Sequence, residues 1–286
     1  MKLKRALSIQ DISCFGRCSL TAALPIMSAM GIETAIIPTA VLSTHTGGFE
    51  GYTFRNLTED IMPIVHHWQK YSIAFDAVCT GYLGSAEQID IMKEIFKIYS
   101  QNGAMIFADP AMGDYGKLYS GFDSSFADKM VSLCAVADVI TPNITEASMI
   151  TGMEYAENGY GKDYIDTLLK KLAETGAKKI VLTGVSYSPD EQGVAFFDRE
   201  QNEYGCYMTE NLPGGNHGTG DIFAAVAAGV LIKGGSLYDA CKTAADFVVR
   251  SIRATVDDND KYWYGVNFES QLSWLMNKKT NRDTSR

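Results

Sequence analysis

The chain has 286 residues, 46% hydrophobic and 21% charged, and its 25 Lys plus Arg against 34 Asp plus Glu give a formal net charge of −9. That is ordinary globular composition, with length for one large domain or two small ones. An acidic chain without a Lys/Arg block does not hold a nucleic-acid polymer through bulk electrostatics; a bound polyanion must be held locally, by backbone amides, a few lysines and a metal ion.

The N-terminal stretch MKLKRALSIQDISCFG starts with basic residues, but Gln10 and Asp11 interrupt its apolar run. It predicts neither a signal peptide nor a membrane span, and hence a soluble, cytoplasmic protein. Residues 5–12 predict a strand with a polar end, 19–31 a helix closed by Gly31, and 33–41 a buried strand. Residues 57–71 have helical periodicity, 76–85 a strand running into glycines, and 86–103 an amphipathic helix. A strand over 104–110, a helix over 124–137, and a proline-stopped strand over 138–143 follow. Next come a helix over 162–176, a strand over 177–184, and an antiparallel pair over 193–200 and 202–210. Two long helices, about 219–233 and 236–253, complete the pattern.

This alternation implies an α/β fold with a mainly parallel central sheet and helices on both faces. No linker or repeat breaks it, so 1–276 reads as one domain and 277–286 as a disordered tail. Ligands of such a sheet sit at the carboxyl ends of its strands, near a topological switch point. Asp11, Thr46, Tyr82, Asp109, Asn143 and Thr183 stand at those ends. Cys14, Cys18, Cys79, Cys134, Cys206 and Cys241 have no framework spacing and read as unpaired core thiols.

Three motifs carry chemistry. Gly218-Thr219-Gly220-Asp221 heads the apolar run DIFAAVAAGVL. Its glycines permit a turn, and the helix end that follows attracts an anion such as a phosphate. Asp221 is either a helix-start carboxylate, worth roughly half a kcal/mol, or a base for a hydroxyl that attacks phosphorus. In ADPAMGDYGKLYSG (108–121), Asp109 and Asp114 stand at a strand end in a glycine-rich loop. The loop is a plain turn or an active-site lid, and its carboxylates suit Mg²⁺ or its waters; it is not a Walker A loop. In TPNITEA (141–147), Asn143 and Glu146 are either a helix cap or an outer-shell magnesium site. Other patterns carry less. Cys14-x-x-x-Cys18 lacks a second ligand pair for zinc. Asp258, Asp260 and Glu269 put Trp263 where a calcium loop needs glycine. His66 and His67 read as surface residues of a helix, and no nucleophile elbow is visible.

GTGD at a late helix, with TPNxxE upstream, resembles the ribokinase-type small-molecule kinases. GYLGSAEQ (81–88), DPAMGDYGKLY (109–119), STHTGG (43–48) and residues 9–31 narrow the resemblance to the pyridoxal/pyridoxamine kinases, over about residues 5–255. It implies a ribokinase-like fold, a homodimer, and transfer of the ATP γ-phosphoryl group to the hydroxymethyl oxygen of a B6 vitamer. Mg²⁺ accompanies ATP, with a monovalent cation as a further candidate ion. By the same resemblance Asp221 is the base, and the amides of Gly218, Thr219 and Gly220 form the anion hole. Asp109, Asp114, Thr141, Asn143, Glu146 and Thr183 fall on nucleotide positions, with Asp109 and Glu146 also on metal positions. Thr46, Gly47 and Tyr82 fall on the substrate side, and Lys117 and Tyr119 in a lid over about 112–123. Asp11 departs from the serine that many relatives carry against the pyridine ring. An ionised carboxylate accepts but cannot donate, which implies an altered vitamer preference.

Hydroxymethylpyrimidine kinase is the nearest rival, because NHGTG (216–220) also resembles that group's loop, where a cysteine commonly replaces the aspartate. A sugar kinase is disfavoured, since STHTGGFEGYT is too short for a separate β lid. A non-catalytic ligand-binding relative is opposed by the joint presence of Asp221, Asn143 and Glu146.

Overall fold

The computed structural model describes residues 3–213, 217–258 and 262–278. Its strands are β1 (Lys4–Ser13), β2 (Ile32–Leu42), β3 (Phe54–Asn56), β4 (Ala77–Thr80), β5 (Met105–Ala108), β6 (Gly113–Asp114), β7 (Lys117–Leu118), β8 (Val139–Ile140), β9 (Lys179–Ser188), β10 (Glu191–Asp198) and β11 (Glu203–Glu210). Its helices are α1 (Ser19–Ala29), α2 (Thr58–Lys70), α3 (Ala86–Ser100), α4 (Ser124–Cys134), α5 (Ile144–Thr151), α6 (Lys162–Glu174), α7 (Thr219–Ile232), α8 (Leu237–Val256) and α9 (Leu272–Asn277).

A nine-stranded sheet runs β11-β10-β9-β8-β5-β4-β1-β2-β3. Its centre, β9 to β2, is parallel, while β3, β10 and β11 are antiparallel. The side chains obey the period of two expected of a sheet covered on both faces. Leu7, Ile9, Val78, Ile106, Ala108 and Ile140 pack towards α2–α6. Their neighbours Ala6, Ala77, Cys79, Phe107 and Val139 pack towards α1, α7, α8 and α9. Strand order reverses at β1, which pairs with β2 on one side and β4 on the other. The crevice beyond those strand ends is the place for a ligand.

The predicted fold class and element order match this architecture. The strand predicted over 138–143 is regular only at Val139–Ile140, because Pro142 has no N–H for the ladder. The pairing resumes as a single bridge between Asn143 and Thr183. Three features were not anticipated: the edge strand β3, the β6–β7 hairpin and the six-residue helix α9, all too short to show a period. Four cysteines are buried, but Cys14 and Cys206 are exposed, so those two are not core thiols; all six are free. His66 and His67 are exposed on α2. Asn277 ends α9 and the Lys278 ammonium lies 4.3 Å from the Trp274 ring centroid. Residues 279–286 of the predicted tail, Asp260 and residues 214–216 lie outside the described residues. Among the described residues, no helix is long and apolar enough to cross a membrane.

Candidate active site

The start of α7 is built by its glycines and by what they touch. Gly218 caps the helix at φ +79°, in the left-handed region. A Cβ there would run into the Arg17 carbonyl oxygen and approach the Cys18 Cα to 3.3 Å. Both the dihedral and the close approach therefore require glycine. Gly220 differs: a Cβ there would meet nothing within 4 Å, so it leaves open space at the helix end. The N-cap residue Gly218 has no side chain to cap α7, and a helix start of this kind offers N–H groups to an anion. The helix behind is apolar all round, burying Ile222, Val226, Ala228 and Val230, which anchors its first turn.

Asp221 lies in that first turn, partly buried. Burial lifts its carboxyl from 3.8 to about 6; nearby Asp11 adds to the rise, and the Ser19 N–H opposes it. A carboxylate stabilised by the helix start would move the other way. A cap contributes roughly half a kcal/mol, whereas this rise costs the ionised form about 3 kcal/mol. The larger, unfavourable effect wins, so the position of Asp221 is not explained by helix capping.

At the end of β1, the Asp11 side chain is buried and accepts from Ser13 Oγ at 3.0 Å. Burial pushes its carboxyl up, against hydrogen bonding from Ser19 and Ser13. Beyond β4, Tyr82 stacks on Phe122 with centroids 5.5 Å apart. Its hydroxyl is pushed up to about 12 by burial and then by the charge of Asp11. The field of Asp11 thus reaches both Tyr82 and Asp221. Thr46 is exposed in the loop after β2, beside Gly47. The Gly47 N–H donates to His45 Nδ1 at 3.1 Å, and His45 Nε2 lies 2.8 Å from the Tyr264 carbonyl oxygen. His45 is therefore the Nε2–H tautomer. A Cβ on Gly47 would come within 2.6 Å of the His217 ring, so the substrate-side loop packs directly on the residue before Gly218.

The residues expected on the nucleotide side gather at the ends of β5, β8 and β9. Asn143 caps α5: its Oδ1 accepts from Glu146 N at 2.9 Å, and Glu146 Oε2 accepts from Asn143 N at 2.8 Å. The cap is real, and it also fastens the loop after β5. Glu146 Oε1 accepts from Met112 N at 3.1 Å, and Asn143 Nδ2 donates to the Gly113 carbonyl at 2.9 Å. The Gly116 N–H donates to Thr145 Oγ1 at 3.0 Å. These bonds hold the β6–β7 hairpin, on which Asp114 and Lys117 are exposed, with Tyr119 exposed just beyond β7. Burial lifts the Glu146 carboxyl to about 7. Asp109 rises well above the carboxylate range through burial, then Glu146 and Asp221. The Asp114 carboxyl, on an exposed residue, is raised by partial desolvation of its head group against the protein, with the Tyr115 N–H and His217 opposing. The Tyr119 hydroxyl is raised by burial and then by Glu146, Asp114, Asp109 and Asp221, so the hairpin faces the carboxylates. Thr141 is buried with its Oγ1 unpartnered among the described residues, and Thr183 Oγ1 donates to the Pro142 carbonyl at 3.4 Å.

Magnesium fits this arrangement in one way. Among the described residues, no three acidic, histidine or cysteine side chains converge on a cation position. Both Glu146 oxygens already accept backbone N–H groups. The donor set thus suits a hard ion that keeps its waters and is carried by phosphate oxygens, with Asp109 and Glu146 in its field rather than caging it. Burial is the largest cause of the rise of Asp109, and the repulsion from Glu146 and Asp221 that adds to it is what such a cation would relieve.

The predicted residues therefore gather around Asp221, which lines one cavity with Asp109; the field of Asp11 reaches it and Tyr82, and its own charge reaches Asp109 and Tyr119. Ser13, Ser19, His45 and Thr145 were not singled out, although all four lie inside the stretches 9–31, 43–48 and 141–147 that carry the resemblance.

Comparison with known proteins gives the same frame. Residues 16–264 match the model of the phosphomethylpyrimidine kinase family. A structure of a putative phosphomethylpyrimidine kinase from Bacteroides thetaiotaomicron, in a form with pyridoxal, is 36% identical, with a TM-score of 0.91 and 96% of each chain covered. Pyridoxal kinase from Lactobacillus plantarum is 31% identical with a TM-score of 0.87, covering 96% of this chain and 97% of that one. The hydroxymethylpyrimidine/phosphomethylpyrimidine kinase of Bacillus subtilis is 26% identical over 265 residues, 90% of this chain and 92% of its own. The chain belongs to the phosphomethylpyrimidine kinase family, ribokinase-like phosphotransferases whose relatives include pyridoxal and hydroxymethylpyrimidine kinases.

Proposed function

We propose that this protein transfers the γ-phosphoryl group of ATP to the hydroxymethyl oxygen of a B6 vitamer: pyridoxal, pyridoxine or pyridoxamine. The observation that carries the reading is Asp221, held near a pKa of 6 at the uncapped positive end of α7. A base of that strength is largely ionised at neutral pH yet accepts a proton as the hydroxyl attacks. The helix start and the turn at Gly218 receive the moving phosphoryl group, where positioning and charge neutralisation are the main requirements. Bound Mg²⁺ would neutralise charge on the phosphates. Asp109 and Glu146 would orient its waters, Thr141 and Thr183 would contact the nucleotide, and the hairpin with Lys117 and Tyr119 would cover it. Asp11, Thr46, Gly47 and Tyr82 would hold the ring; a buried acceptor at Asp11 favours a ring or amine that donates N–H.

The similar structure carrying pyridoxal supports this choice of acceptor. Hydroxymethylpyrimidine is the second reading, favoured by the matching family and by the His217-Gly218-Thr219-Gly220 sequence. A coupled ADP-release assay over the three vitamers, hydroxymethylpyrimidine and several sugars tests both. Turnover confined to hydroxymethylpyrimidine would reject the vitamer assignment. A one-domain, homodimeric, cytoplasmic enzyme completes the proposal.

A further inference from the structure

Beyond α8 the run Tyr262-Trp263-Tyr264-Gly265 leads into Val266-Asn267-Phe268-Glu269. The rear of this segment is anchored. Val266 and Phe268 are buried in the core with residues of α1, α7 and α8, and the Asn267 N–H donates to Thr255 Oγ1 at 2.6 Å. Its front reaches over two segments that flank the start of α7. The first is 15–17. The Phe15 and Tyr264 ring centroids are 4.7 Å apart. Arg17 Nε donates to Glu269 Oε1 at 3.0 Å, its guanidinium lies 4.7 Å from the Tyr262 ring centroid, and a Cβ on Gly265 would lie 2.6 Å from its Cβ. The second is the loop 45–49. His45 Nε2–H donates to the Tyr264 carbonyl at 2.8 Å, and the Trp263 and Phe49 ring centroids are 4.5 Å apart. A Cβ on Gly48 would come within 2.8 Å of Trp263 Cζ3. Both segments touch the phosphoryl turn: the Arg17 carbonyl abuts Gly218, and Gly47 abuts the His217 ring.

A single exposed tryptophan is ordinary on a protein surface. Trp263, 52% exposed, differs because its ring is seated on Gly48, in a loop that two adjacent glycines leave free to move. Gly48 itself stands at φ +81°. We propose that Trp263 is a positioning residue for the acceptor: its ring clamps Gly48 and Phe49, so that Thr46 and Gly47 meet the incoming hydroxymethyl ring already ordered. The inference rests on the acceptor-side reading of Thr46 and Gly47, and holds for either heteroaromatic alcohol. Without the clamp, the acceptor must order the loop as it binds, and that entropy weakens acceptor binding alone. A ring that merely covered apolar surface would affect stability and leave the acceptor KM where it was.

The test measures kcat and both KM values on full-length Trp263→Ala, Trp263→Phe, Trp263→Leu and Thr46→Ala, using pyridoxal or hydroxymethylpyrimidine, whichever the wild type turns over, with thermal unfolding of each. Trp263→Ala is expected to raise the acceptor KM about tenfold, the ordering entropy of about one residue, with KM for ATP held within about twofold. Trp263→Phe keeps a flat ring on Gly48 and is expected to recover most of that loss. A folded Trp263→Ala with wild-type acceptor KM overturns the inference, as does one that raises both KM values alike, or a Trp263→Phe as poor as Trp263→Ala. If Trp263→Ala does not fold, Trp263→Leu keeps apolar bulk without the flat ring; its acceptor KM should rise, and an unchanged value overturns the inference. An unchanged acceptor KM in Thr46→Ala rejects the acceptor-side reading, and the inference with it. A raised acceptor KM in Thr46→Ala beside an unaffected Trp263→Ala rejects only the role of Trp263.

Discussion

Replacing Asp221 by asparagine should make the protein slower and more stable at once. Burial lifts this carboxyl from 3.8 to about 6. In the unfolded chain it ionises near the lower value, so between the two values the unfolded state holds fewer protons and is increasingly favoured, and above both the accumulated cost stays constant. A tenfold change in an ionisation equilibrium is worth about 1.4 kcal/mol. Keeping Asp221 ionised therefore costs the folded protein about 3 kcal/mol at pH 8, roughly half that at pH 5, and little below pH 4. Asparagine has the same shape without the charge, and its carbonyl oxygen can still accept from the Ser19 N–H. Urea unfolding should show Asp221→Asn more stable by nearly that amount at pH 8, with the advantage about halved at pH 5. Coupled ADP release should show kcat lower by about 10²–10⁴-fold, the usual worth of a general base. In the wild type, kcat/KM should fall as pH drops through about 6, where the base takes up its proton. A variant destabilised at pH 8, or one with kcat within about tenfold of wild type, would refute the argument.

Gly218→Ala should abolish turnover and lower stability by more than about 1 kcal/mol, because φ +79° and the Arg17 carbonyl both exclude a Cβ; wild-type kcat and unfolding midpoint would contradict this. Glu146→Gln keeps one acceptor oxygen for two backbone N–H groups, so it should raise KM for Mg-ATP and cost about 1–3 kcal/mol of stability; titration of activity against Mg²⁺ checks the first effect and urea unfolding the second. Asp11→Ser should change the order of kcat/KM among pyridoxal, pyridoxine and pyridoxamine, since a hydroxyl both donates and accepts where a carboxylate only accepts; an unchanged order would remove Asp11 from the ring contact.

Much of this molecule is local information. The alternation of residues 5–12 and 104–110, and the helical period of 86–103 and 162–176, reappear as β1, β5, α3 and α6, because side-chain period follows from backbone geometry. The strands β3, β6 and β7 have two or three residues each, too few for a period, and exist because a neighbouring strand pairs with them. Asn143 and Glu146 announced a cap at their spacing of three, and the cap is there. That the same Glu146 also fastens the loop after β5 through Met112 required the loop to fold back.

The sequence by itself determined the order of strands and helices and put Gly218 and Asp221 at the head of an apolar helix, because periodicity and glycine's freedom act over a few residues. Tertiary structure alone decided the state of the carboxylates. Asp221 is raised by burial and by Asp11 from the end of β1, and Asp109 by burial and by Glu146 from α5. The same packing pressed Gly218 onto Arg17 and turned Ser19 into the left-handed region. Desolvation and Coulomb fields act through space, between groups far apart in the chain, and only the folded sheet brings those groups within reach of one another.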